Sequence, residues 1–251
     1  MTANSNFISA TGIGVSNAAV SKQFYVDVVG LEARAPRQAS QGHEEVLADP
    51  RGNVLLLTSY EREHNYKKNP VKVVFAVPDA DAFYAKVLAS GGRKLTPPQR
   101  FGDLYLALAY DPDGYVVECV QFPNVRSPVL VAIGIGVSDL DAAADYYTRV
   151  IGVKFVRDIA VPGYMNEKEL APPNKRGPSL VLMNYEDKTR SYANIPTRLV
   201  LAVEDAGALA AAVGRDDPSK VVQTPASGGE PGVVVGALRD LDGYVLELAQ
   251  A

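Results

Sequence analysis

One cysteine and two histidines set the first limits on this 251-residue chain. Cys119 alone can build neither an internal disulfide nor a cysteine-based zinc knuckle. His43 and His64 are too few for an imidazole-rich metal centre. A basic surplus is also lacking: 25 Lys and Arg stand against 29 Asp and Glu, for a net charge of −4. No basic surplus is left over to neutralise a phosphate backbone, so no nucleic-acid partner is expected. No apolar run approaches the roughly 18 residues that a membrane helix needs. The start, Met1-Thr2-Ala3-Asn4-Ser5-Asn6, has no basic n-region and no apolar core of a signal peptide. No phosphate-cradling P-loop, dinucleotide fingerprint or G-x-S-x-G elbow occurs. The expectation is a cytoplasmic protein that works without nucleic acid or membrane. What is present is ordinary for a globular chain, 47% hydrophobic and 22% charged. That is enough for one large domain or two small ones.

Self-similarity decides between these. Residues 12–30 read GIGVSNAAVSKQFYVDVVG, and residues 134–152 read GIGVSDLDAAADYYTRVIG. Three further blocks follow in the same order. Residues 51–60 match 176–185, residues 71–77 match 197–203, and DPDGYVVE at 111–118 matches DLDGYVLE at 240–247. Chance does not align four separate blocks in order. The chain therefore divides into homologous halves, 1–125 and 126–251, joined near Pro123–Pro128. Each half repeats again, with modules near 1–65, 70–125, 129–190 and 196–251. In each, a short apolar strand leads to a helix opened by Asn17, Asp79, Asp139 or Asp205. The helices are stopped at Gly30, Gly91-Gly92, Gly152 and Gly214. Turn-separated strands follow, as at Asp111-Pro112-Asp113-Gly114. Four βαβββ modules result.

The string V-S-[ND] ahead of a [FY]-Y pair and a closing [IV]-G, with D-x-D-G-Y-V-x-E before a last strand, resembles the vicinal oxygen chelate superfamily. That family holds glyoxalase I, type I extradiol dioxygenases, and the bleomycin and fosfomycin resistance proteins. The resemblance runs over nearly the whole chain, in tandem. It implies an α+β fold of four βαβββ modules in two homologous glyoxalase-like domains, each pair of modules curving into a cup, with modules paired either 1+2 and 3+4 or 1+4 and 2+3. It also implies a divalent metal on the cup floor, held by side chains of first and last strands. One scaffold of this kind hosts many chemistries, so the activity stays open.

Carried over position by position, the family's first-strand ligands fall on Ala10, Lys72, Ala132 and Arg198. Its last-strand ligands fall on Leu56, Glu118, Val181 and Glu247. Each cup is then left with two apolar residues, one cation and one carboxylate. Zinc or iron wants at least three good protein donors, so no metal or other cofactor is expected. In this fold both ligand positions of a module face the cup, which sets Lys72 against Glu118 and Arg198 against Glu247. Two readings of such pairs stand side by side. They satisfy two buried charges and nothing more, or they work as acid and base on a bound carboxylate or enolate.

Other candidates follow from strand alternation. If Ala10 and Ala132 face the cups, so do Gly12, Gly14, Gly134 and Gly136. Bulk-free positions in a strand mark either close approach of a ligand or tight packing of sheets. Tyr60 and Tyr185 share the faces of Leu56 and Val181 and are candidate ligand contacts. His43, near the start of a third strand, is a candidate general base and equally a solvated strand-end residue. His64 lies in a charged loop between modules. Tyr164 and Asn166 are candidates for the rim of the second cup. Tyr25 and Tyr147 are expected as core anchors with wet hydroxyls, and Cys119 faces away from the cup.

Three functions follow as expectations. The first is a metal-independent lyase or isomerase acting on a small organic acid, carbonyl or phenolic metabolite. In it Glu118 or Glu247 is the base, and Lys72 or Arg198 steadies negative charge. The second is a non-catalytic protein binding an antibiotic or metabolite. The third is a metal-dependent glyoxalase or dioxygenase with ligands recruited elsewhere, His43 and His64 among them. Each takes a small-molecule partner. A monomer and a homodimer both fit.

Overall fold

The structure, a computed structural model, describes residues 6–39, 42–60, 69–192, 194–228 and 231–250. His64 lies outside the described residues. The first module is β1 (Phe7–Gly14), α1 (Ala18–Gln23) continuing into a π-helical turn (Phe24–Val29), β2 (Glu32–Ala39), β3 (Gly42–Ala48) and β4 (Val54–Tyr60). The second is β5 (Val71–Val77), α2 (Ala80–Ala89), β6 (Arg93–Phe101), β7 (Leu104–Tyr110) and β8 (Val116–Gln121). The third is β9 (Val129–Gly136), α3 (Leu140–Val150), β10 (Lys154–Val161), β11 (Met165–Ala171) and β12 (Ser179–Tyr185). The fourth is β13 (Thr197–Ala202), α4 (Ala206–Asp216), β14 (Val221–Ser227), β15 (Val234–Arg239) and β16 (Val245–Gln250). This is the α+β, fourfold βαβββ arrangement that the repeat implies.

The helices begin where short polar side chains can take the orphan N–H groups of a first turn. Asn17, Asp79, Asp139 and Asp205 are all extended and each accepts from N–H groups one turn on. Gly30 and Gly152 leave the first and third helices at φ 87° and 83°, a conformation that glycine adopts at no steric cost. The fourth stop needs correcting. Helix α4 runs through Gly214 to Asp216, because the breaking element is Asp217-Pro218. Pro218 has no N–H to continue the ladder, and the Asp217 carboxylate turns to the N–H of Ser219 instead.

The chain packs as two compact units. One holds the described residues up to Thr11 and those from Ile135 onward; the other holds Gly12–Gly134. In the first, the strand orders are β14-β15-β16-β13-β1 and β10-β11-β12-β9. In the second they are β1-β4-β3-β2 and β9-β5-β8-β7-β6. Strands β1 and β9, the first of each sequence half, contribute residues to both units. The leading strand of module 1 thus lies beside that of module 4, and the leading strand of module 3 beside that of module 2.

Helices cover one face of each set of strands. Lys22 of α1 reaches Glu45 of β3, and the Cys119 thiol of β8 lies against the Ala80 carbonyl of α2. Leu47, Leu55, Leu57, Val117 and Cys119 share that covered face and are buried. The alternate residues face the helix-free side, where the family positions lie. No helix among the described residues is long and apolar enough to cross a membrane.

The D-x-D-G-Y turns are buried fasteners. Asp111 accepts from the N–H of Asp113 and Tyr115 and from the Tyr25 hydroxyl at 2.9 Å. Asp240 does the same with Asp242, Tyr244 and the Tyr147 hydroxyl at 2.7 Å. Tyr25 and Tyr147 are therefore dry, not wet: each side chain is fully buried and its hydroxyl donates to a buried carboxylate. Burial, followed by the neighbouring aspartate, pushes both phenol pKa values well up.

Candidate functional site

The eight family positions carry the same pattern in both units. Strands β5 and β8 run parallel, with Lys72 level with Val116 and Val74 level with Glu118. Strands β13 and β16 repeat the register, with Arg198 level with Val245 and Val200 level with Glu247. A cation and a carboxylate thus sit on one face, one step apart along adjacent strands. Lys72 Nζ lies 2.9 Å from Glu118 Oε2, with the side chains 7% and 12% exposed. Arg198 Nε lies 2.8 Å from Glu247 Oε1, with exposures of 7% and 36%. In the second pair the Nε–H is not aimed along the contact, so this is an ion pair by distance and not an aligned hydrogen bond. The two sites differ in access: Glu118 is closed in, and Glu247 opens to solvent.

The leading strand next to each cation's strand carries a buried alanine at its family position, Ala10 on β1 and Ala132 on β9. The remaining family positions, Leu56 and Val181, are buried and apolar. Each unit's pair therefore offers one carboxylate, already held by a fixed cation that repels a second one. That donor set does not fit a divalent metal. Among the described residues, no group of three or more His, Cys, Asp or Glu side chains could hold one.

One glycine expected as room for a ligand is already covered. A Cβ built on Gly134 would lie 2.9 Å from Lys72 Cε, 3.1 Å from Cδ and closer still to Cγ. The lysine stem lies flat across the bare backbone of β9, and this carries Nζ to Glu118. Gly134 is thus a bed for Lys72, not open space. Gly12, Gly14 and Gly136 are buried in β1 and β9. The substitution Gly134→Ala should lift Lys72 off its bed and cost about 1–3 kcal/mol. Urea denaturation checks this; an unchanged stability in Gly134→Ala would contradict it.

The other candidates separate. Tyr60 is half-buried at the end of β4, level with Gly42 on the face of Leu56. Tyr185 is buried on the face of Val181, but it is covered. The Arg190 guanidinium lies 4.0 Å over its ring, and Tyr164 meets it edge-on at 5.5 Å. Asn166 pairs with Asn184 on the opposite, helix-bearing face. His43 is level with Ser59, which also puts it on the helix face, away from Lys72 and Glu118. Its Nε2 stands 3.4 Å from Glu45 and its side chain is 48% exposed. It is a solvated strand-end histidine, and no described pair of charges faces it across a cup floor. Cys119 is buried, and burial pushes its thiol up to about 12, which leaves no thiolate near neutrality.

Sequence reasoning missed Glu44. It is level with Thr58 and so faces the helix-free side, completely buried, with Thr58 Oγ1 donating to Oε1 and Arg37 Nε donating to Oε2. The signal was available: Glu44 alternates with Glu45, and only one of the two can face α1.

A family model described as the Glyoxalase/Bleomycin resistance protein/Dioxygenase superfamily matches residues 7–119 and 129–248. Lactoylglutathione lyase of Oryza sativa subsp. japonica is 36% identical over 67 residues, 27% of this chain and 23% of that protein. Lactoylglutathione lyase of Arabidopsis thaliana is 26% identical over 132 residues, 51% of this chain and 46% of that protein. The matches thus span less than half the length of these curated relatives. Glyoxalase I from Zea mays superposes with a TM-score of 0.82 at 20% identity, over 98% of this chain and 93% of that one. A putative dioxygenase from Bacillus subtilis gives 0.67 at 10% identity, over 97% and 84%. At these identities the structural likeness is one of fold.

Proposed function

The chain belongs to the glyoxalase/bleomycin resistance protein/dioxygenase superfamily, and from that premise we propose that it is a lyase or isomerase acting on a small organic acid, carbonyl or phenolic metabolite by acid–base chemistry without a metal. The observation that carries this reading is the pair of ion pairs, Lys72–Glu118 and Arg198–Glu247, standing where the family keeps its metal ligands. A substrate carbonyl oxygen entering beside the cation draws it from the carboxylate. The freed carboxylate then takes the proton from the carbon next to the carbonyl. The ammonium or guanidinium steadies the charge that develops on oxygen, as the metal does elsewhere in the superfamily. Val74, Val116 and Val120 flank the Lys72 site and keep the local dielectric low, which strengthens that interaction. The protein works in the cytoplasm as a monomer or homodimer.

The relatives' name makes lactoylglutathione the first substrate to try. The expected result is turnover that survives a chelator and falls by about 100-fold or more in the double variant Glu118→Gln/Glu247→Gln, with folding retained. Turnover abolished by the chelator and restored by zinc, nickel, manganese or iron would make the protein a metalloenzyme. Tight binding of such compounds without turnover, unchanged in the double variant, would make it a binding protein.

A further inference from the structure

The strand orders end in four edge strands, β2, β6, β10 and β14. An edge presents a row of N–H and C=O groups that can pair with another chain, and proteins blunt it with proline, bulges or charge. Three of the four are blunted by proline: Pro36 in β2, Pro97 and Pro98 in β6, and Pro225 in β14. Strand β10 holds none. Counted from Gly30 and Gly152, Asp158 stands where β2 has Pro36. The ladders differ as well. Between register slips, β2 and β6 hold runs of three paired residues at most, and β14 a run of two. Strand β10 slips once, between Phe155 and Arg157, and then keeps five residues, Arg157–Val161, in unbroken register.

Charge does not guard this edge either. Arg157 Nε donates to Glu169 at 2.7 Å, and Lys168 Nζ donates to Asp158 at 2.8 Å. Both charges are thus turned inward to the neighbouring strand β11. Beside the regular run, Phe155 and Val156 are 53% and 49% exposed. The run is also self-complementary. A two-fold axis through an antiparallel pair keeps each face on its own side. A residue then stands opposite itself or opposite one an even number of positions away. Centring on Arg157 or on Asp158 sets like charges directly opposite each other, which is unfavourable. Centring on Ala160 or Val161 leaves fewer residues of the run paired. Centring on Ile159 pairs all five: Ile159 with Ile159, Asp158 with Ala160, and Arg157 with Val161. No like charges are then directly opposite.

We infer that β10 is the contact surface for a second copy of this chain, the two Arg157–Val161 edges pairing antiparallel about Ile159. The backbone ladder supplies the attraction, and the placement of Arg157 and Asp158 fixes the register. Val156 then falls opposite Pro162 of the second copy, which covers exposed apolar surface. This contact goes beyond the acid–base reading and stands whether or not that reading does.

The test is analytical ultracentrifugation of the full-length protein over a range of concentrations. The parent is expected to dimerise with a dissociation constant in the micromolar range, as a small interface does. Ala160 is exposed, so charged side chains there are compatible with folding, which circular dichroism checks. Ala160→Glu sets a glutamate opposite each Asp158 and should weaken the dimer about tenfold or more. Ala160→Lys sets a lysine there and should tighten it about threefold or more. Ala211→Glu, at an exposed position on α4, makes the same change of net charge away from the edge and should leave the dimer unchanged. A parent that stays monomeric at every concentration would overturn the assignment. So would a dimer that responds alike to Ala160→Glu and Ala160→Lys, or as strongly to Ala211→Glu as to Ala160→Glu. None of these outcomes depends on turnover, so failure here is distinguishable from failure of the proposed reaction.

Discussion

Lys72→Met is expected to destabilise the protein by about 3–5 kcal/mol, because it leaves Glu118 buried without its cation. Methionine fills most of the lysine stem's volume across Gly134, so packing loss is a minor part of the effect. The double variant Lys72→Met/Glu118→Leu should then recover most of the loss, since an apolar pair carries no desolvation cost. Urea denaturation of the two single variants and the double variant gives the coupling directly. Arg198→Met should cost less, about 1–2 kcal/mol, because Glu247 is open enough to turn to water. Equal losses at the two sites would show that access does not set the cost. The double variant also separates the two readings of these pairs. If it matches or exceeds the parent in stability and loses turnover, stability does not account for the charges. If it is much less stable than the parent, the pairs hold the fold, and their chemistry has to be shown separately.

Local rules made much of this molecule legible. A short polar residue before an apolar periodicity opens all four helices, since capping needs only a few neighbouring residues. The family resemblance supplied the eight candidate ligand positions, and the fold it implies put Lys72 with Glu118 and Arg198 with Glu247. What stayed hidden depends on contacts far apart in sequence. That Gly134 lies under Lys72 follows from the adjacency of β9 and β5, strands of different halves, and no spacing within either half specifies it. The buried end of Tyr25 depends on Asp111, a residue of another module. His43 and Glu44 are neighbours in the chain but on opposite faces, and the register against β4 decides which is which. Gly214 misled because glycine stops a helix only when the following backbone leaves it, and here Asp217-Pro218 does so later. The contact of Arg37 with Glu44 was the least visible, because it needs a strand bulge to bring the two level.

Asp111 sets the second large effect. It is fully buried, and its oxygens take the Tyr25 hydroxyl and two turn N–H groups. Asp111→Ala leaves all three donors without an acceptor and is expected to cost about 3 kcal/mol or more. The charge acts in the opposite sense. Burial, with Asp113 next, raises the carboxyl from 3.8 to about 7, against the pull of Tyr25 and the turn N–H groups. A pKa higher in the folded state means that the native protein holds this proton more firmly than the unfolded chain. Its contribution is fully present below pH 3.8 and is lost as the pH rises through about 7. At about 1.4 kcal/mol per unit, the loss is on the order of 4 kcal/mol at most. Asp111→Asn keeps an acceptor oxygen for the turn and carries no charge, so its stability should be flatter across that window. The difference between the parent and Asp111→Asn, measured by denaturation from about pH 4 to about pH 8, should therefore move against the parent as pH rises and level off above 7. Asp240, raised to about 6 by burial in the other unit, should give the same curve displaced to lower pH. Parallel curves for the parent and Asp111→Asn would mean that the three donors hold the charge as well as water does. The turn would then be an anion-stabilising cradle, not a site kept protonated by burial.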